Sequence, residues 1–130
     1  MDITQNKIKV LAADDSAVWN RMLISYIEAN PEIELAGEVN SSVGCIIVAE
    51  EASPDVVVLG YDRKASMEPK EIIRQLRAIL PEVKVILCAD QIDKASIENT
   101  IGRGMDEFAI KPYNSQQIIR LIKRSVGLGK

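Results

Sequence analysis

Ile8-Lys9-Val10-Leu11-Ala12-Ala13-Asp14-Asp15-Ser16 is the stretch on which the reading of this chain turns. Its apolar half has the length and the Val/Ile/Leu content of a buried strand, and it ends abruptly on two carboxylates and a hydroxyl. Ser16 is a good helix N-cap, and after it apolar side chains recur at helical spacing: Val18, Met22, Leu23, Tyr26 and Ile27. A strand therefore passes into a helix through a loop that carries Asp14 and Asp15.

The same grammar repeats along the chain. Apolar runs at residues 8–13, 33–39, 56–59, 83–88 and 107–110 read as strands. Helical spacing returns with Ile72, Ile73, Leu76, Ile79 and Leu80, and again with Ile118, Leu121 and Ile122. Pro31 and Pro81 follow helix ends, and Asn114 can cap the last helix. Strands alternating with short helical crossovers imply an α/β, doubly wound parallel sheet with helices on both faces. Val56-Val57-Val58-Leu59, apolar throughout, suits a central strand covered on both sides. The expectation is one domain over residues 1–130, and Gly127-Leu128-Gly129-Lys130 reads as a helix stop or the start of a linker.

Composition narrows the function. The chain has 130 residues, 16 Lys+Arg against 19 Asp+Glu, two Cys and no His. Without histidine it has no Ser-His-Asp or Cys-His nucleophile system and no imidazole metal ligand. Cys45 and Cys88 are too few for a structural zinc site without oxygen donors. A net charge of -3 argues against a nucleic-acid partner. No stretch has the roughly 20 apolar residues of a membrane span, and Met1 to Lys9 lacks a signal core. A cytoplasmic protein with reduced thiols and no membrane partner is expected.

Ligands of open α/β sheets bind beyond the carboxyl ends of the strands. Those ends offer Asp14-Asp15, Gly60-Tyr61-Asp62, Cys88-Ala89-Asp90 and Lys111-Pro112. Asp14 and Asp15 either cap the following helix and favour its dipole, or hold a hard cation such as Mg²⁺, with Lys111 as a further counter-charge.

These residues carry a resemblance. The acidic pair after the first strand, Pro54-Asp55-Val56-Val57-Val58-Leu59, and Gly104-Met105-Asp106-Glu107-Phe108-Ala109-Ile110-Lys111-Pro112-Tyr113 together resemble a response-regulator receiver domain of two-component signalling, similar to the chemotaxis regulators, over essentially the whole chain. The resemblance implies a flavodoxin-like receiver fold, with five parallel strands in the order 2-1-3-4-5 and five helices. It implies that Asp14 and Asp15 bind Mg²⁺ and that Lys111 pairs with a phosphoryl group. Cys88 stands where a Ser/Thr completes the switch, and Phe108 where an aromatic follows it; a plain core role for Phe108 is the alternative.

The departures carry as much weight. The phosphoacceptor position is Gly60, which has neither nucleophile nor metal ligand. Cys88 is only a weak hydrogen-bond donor. Arg63-Lys64 and Met67-Glu68 alter the loop after the acceptor. Asp62 is the alternative acceptor, but it lies two residues on, about 6–7 Å along an extended chain. Cys88 as a redox sensor and Cys88 as a small filling residue both stay open.

The expected function is an atypical receiver, independent of phosphorylation, in a phosphorelay signalling system, without catalysis of its own. Its partners would be a histidine kinase or a downstream effector, met through surface contacts, with a homodimer also open. Mg²⁺ is expected to bind weakly, because only two carboxylates remain. The alternatives are a phosphorylatable regulator using Asp62 and a small nucleotide or flavin binder. The second lacks any Gly-rich phosphate loop, since Asp14-Asp15-Ser16 stands in that place.

Overall fold

A computed structural model describes residues 7–61, 67–90 and 105–128. In chain order these form β1 (Ile8–Ala13), α1 (Ala17–Glu28), β2 (Ile33–Val39), α2 (Ser42–Ala52), β3 (Val56–Gly60), α3 (Pro69–Ile79), β4 (Lys84–Asp90), β5 (Glu107–Lys111) and α4 (Ser115–Ser125). The strands make one parallel sheet in the order β2-β1-β3-β4-β5. This is the expected doubly wound architecture. Of the five expected helices, four fall among the described residues, and the connection between β4 and β5 lies outside them.

Side chains alternate across the strands and so divide the core into two layers. Leu11, Val57, Leu59, Val85 and Leu87 face Cys45 and Ala49 of α2 and Ile72, Ile73 and Leu76 of α3. Val10, Ala12, Val56, Val58, Ile86 and Ala109 face Leu23 and Ile27 of α1 and Ile118 and Ile122 of α4. β3, at the centre, is buried on both faces from Val56 to Leu59.

The helix starts follow local chemistry. Ser16 accepts the Trp19 N–H, and Asn114 and Gln117 form a reciprocal capping box. α2 shows no helical periodicity because its middle, Cys45 to Ala49, is apolar throughout. Within that stretch Cys45 and Ala49, one turn apart, are buried, while Ile47 is exposed.

The strand ends differ from the apolar runs in one respect. β3, β4 and β5 extend to Gly60, Asp90 and Lys111, because ladder pairing continues there, joining Gly60 to Cys88 and Asp90 to Lys111. At the other end of β4, Val83 turns back to donate its N–H to the Leu80 carbonyl. Backbone pairing, not hydrophobicity, sets where a strand stops.

Candidate functional site

The two-residue alternation that builds the core also decides which side chains meet at the carboxyl end of the sheet. Asp14 continues the face of Val10 and Ala12, and Gly60 that of Val56 and Val58. Cys88 continues Ile86, and Lys111 continues Ala109. These four positions therefore lie on the α1/α4 face, at neighbouring strand ends. Phe108 lies on the other face, half-buried against the α2/α3 core with Tyr61, Met67 and Met105. Asp15, next in alternation after Asp14, is exposed.

Asp14 and Lys111 come from strands separated by β3 and β4. They meet because the residues between them are small. The Asp14 carboxylate lies across Gly60, so that a Cβ there would stand 2.3 Å from Asp14 Cγ. Lys111 reaches over Cys88 and places Nζ 2.8 Å from Asp14 Oδ2, with both side chains only 9% exposed. The other oxygen, Asp14 Oδ1, accepts the Ser16 N–H at 2.9 Å. The expected ammonium–carboxylate contact is thus made. The space over Gly60 is filled by Asp14, because glycine has no side chain to hold it off.

An aromatic wall closes the group. Lys111 Nζ lies 5.3 Å from the Trp19 ring centroid, within cation–π range. Trp19 in turn packs on Tyr113, with centroids 4.8 Å apart and planes inclined at 43°. Tyr113 is buried, and burial pushes its phenol well above the ordinary range, reinforced by Cys88 and Asp14. Trp19 and Tyr113 are the members that the motif reading missed. The signal for them was a lone tryptophan in the first turn after an acidic loop, and an aromatic directly after Lys-Pro.

Cys88 has no solvent exposure, and burial pushes its thiol up from 9.0 to about 12; Lys111 opposes this and Asp14 adds to it. Burial and the raised thiol both disfavour the thiolate on which a redox role of Cys88 would depend. Asp62, the alternative acceptor, lies outside the described residues.

The donor set suits a divalent cation poorly. Both oxygens of Asp14 are already engaged, and Gly60 beside it offers no donor side chain. Among the described residues no group of three or more His, Cys, Asp or Glu side chains could hold a metal ion. Nor is any described helix long and apolar enough to cross a membrane.

Comparison with known proteins agrees with the fold. No family model matches the chain. It is 25% identical over 118 residues to the chemotaxis protein CheY of Listeria monocytogenes, covering 91% of this chain and 98% of that one. Identity to the response regulator protein VraR of Staphylococcus aureus is also 25%, over 91% of this chain and 56% of that longer protein. Among solved structures, the receiver domain of the response regulator NarL from Mycobacterium tuberculosis matches with a TM-score of 0.82 at 18% identity, over 94% of this chain and 98% of that one. The response regulator domain of Thermotoga maritima CheB matches with a TM-score of 0.76 at 20% identity, over 95% and 99%.

Proposed function

We propose that this chain, a CheY-like receiver domain of two-component response regulators, signals through protein contacts without being phosphorylated. One observation carries the proposal. The acceptor position is Gly60, and the space its side chain would need is taken by the carboxylate of Asp14, already paired with Lys111. A phosphoryl donor then meets no nucleophile at that position. In-line transfer requires an attacking oxygen about 3–3.5 Å from phosphorus. The lysine that would receive the phosphoryl charge is neutralised from within. Cys88, short of a hydroxyl, adds little as a switch donor.

On this reading the domain carries no catalysis of its own. Its output runs through its surface, to a histidine kinase, a downstream effector or a second copy of itself. Localisation in the cytoplasm, where such partners work, belongs to the same proposal.

The test is intact-mass measurement after treatment with acetyl phosphate and Mg²⁺. The expected result is an unchanged mass. A gain of one phosphoryl group, labile to both acid and base and mapped to Asp62, overturns the proposal and makes the chain an orthodox regulator with a displaced acceptor.

A further inference from the structure

We propose that Lys111 is the permanent cation of this site, clamped between the Asp14 carboxylate and the Trp19 ring, and that it latches the ends of β1 and β5 to the start of α1 in one state without a metal ion. The inference rests on the phosphorylation-independent reading and gives it a mechanism.

The contacts run in a closed circuit. Asp14, at the end of β1, binds the Lys111 ammonium with one oxygen and the Ser16 N–H with the other. Ser16 Oγ accepts the N–H of Trp19, which fixes the start of α1. The Trp19 ring returns to Lys111 through its face and to Tyr113 by packing, so it touches the chain on both sides of Pro112. Gly60 admits the circuit, because any side chain there would strike Asp14. A divalent cation would have to expel the ammonium from Asp14 Oδ2 and break the turn at Oδ1. Among the described residues it would then find no group of three or more acidic side chains, where a hard cation prefers more oxygen ligands.

Trp19 is thereby a positioning residue. It acts on Asp14 through Lys111, by covering the ammonium on the side that water would otherwise hydrate. A desolvated ammonium over an indole face is held both by the ring quadrupole and by the lower local dielectric.

Trp19 is the sole tryptophan of the chain, so its emission reports the latch directly. Mg²⁺ titration of the full chain should leave wild-type emission without saturation below the millimolar range. Lys111→Met, which keeps bulk but removes charge, should gain Mg²⁺ affinity by at least about tenfold, as expected for removing a cation within contact distance. Wild-type saturation at sub-millimolar Mg²⁺, or equal affinities in the two proteins, overturns the latch.

The second measurement needs no metal. The Lys111 ammonium should give a slowly exchanging NMR signal that is lost in Trp19→Leu and kept in Trp19→Phe, whose ring preserves the face. Equal exchange in both variants overturns the role of Trp19. The two proposals fail separately. A phosphoryl adduct on Asp62 with no Mg²⁺ response in the unmodified protein removes only the phosphorylation-independent reading. Tight Mg²⁺ binding without any adduct removes only the latch.

Discussion

Two ion pairs of this domain have similar chemistry and opposite standing. Lys111 and Asp14 are far apart in sequence, each side chain 9% exposed, and each is surrounded by further contacts. Arg74 and Glu71 are neighbours on one turn of α3, with side chains 69% and 40% exposed. The second pair makes more hydrogen bonds, since Glu71 also accepts from Gln75. Yet water can replace every partner of Glu71 and few of Asp14. Shielding, rather than the number of contacts, decides which pair the fold depends on.

The sharpest way to break the contrast is Lys111→Ala. It leaves a nearly buried carboxylate without its counter-charge, and the expected loss is about 3–5 kcal/mol in urea unfolding. Adding Asp14→Leu to that variant should recover part of the loss, because no uncompensated charge then remains. A loss no larger than that of Glu71→Gln would put both pairs in one class.

Gly60→Ala comes next. Its Cβ would fall 2.3 Å from Asp14 Cγ, so the carboxylate must turn away from Lys111. The expected cost is about 1–3 kcal/mol, with a shift in Trp19 emission as the ammonium leaves its place. Gly60→Asp adds a third carboxylate in the same spot. Thermal unfolding of that variant should become Mg²⁺-dependent, while the wild type stays indifferent.

The same shielding acts on the thiols. Burial pushes both Cys45 and Cys88 from 9.0 to about 12, so the folded state holds their protons more tightly than the unfolded state does. Their stabilisation is complete below pH 9 and is lost as pH rises toward 12. At pH 10 each thiol should account for lost stability on the order of 1 kcal/mol, read from urea midpoints at pH 8 and pH 10. Cys45→Ala should flatten that slope relative to its own value at pH 8.

The smallest effect belongs to the exposed pair. Hydrogen bonds from Arg74, then from Gln75, hold the Glu71 carboxyl down from 4.5 to about 2. Its folded pKa is depressed, so any contribution is present above pH 4.5 and fades as pH falls toward 2. Glu71→Gln should change the urea midpoint at neutral pH by no more than the scatter of replicate measurements. A carboxyl titration by NMR near the unperturbed value would show that the pair is not formed in solution.

How far the site was legible depends on the range of the interaction involved. Ser16 and Asn114 announced their helices because a cap acts within three residues. The apolar run at β3 announced a central strand because burial on both faces removes the polar half of the pattern. α2 gave no periodic signal, since its apolar stretch is continuous and its exposed Ile47 looks in sequence like the half-buried Ile46 and Val48 beside it. The strand ends at Gly60, Asp90 and Lys111 were missed by one or two residues, because they are set by ladder partners on other strands.

The amino-acid order by itself determined the alternation of strands and helices and the residue types available near the strand ends, Gly60 among them. These follow from period, propensity and residue type, all local properties of the chain. Only the tertiary structure decided that Asp14 lies over Gly60 rather than beside an empty space, and that Trp19 and Tyr113 wall in Lys111 while Phe108 packs on the opposite face. Those outcomes depend on which small residues stand between distant partners once five strands are laid side by side, and on which face each strand end presents there.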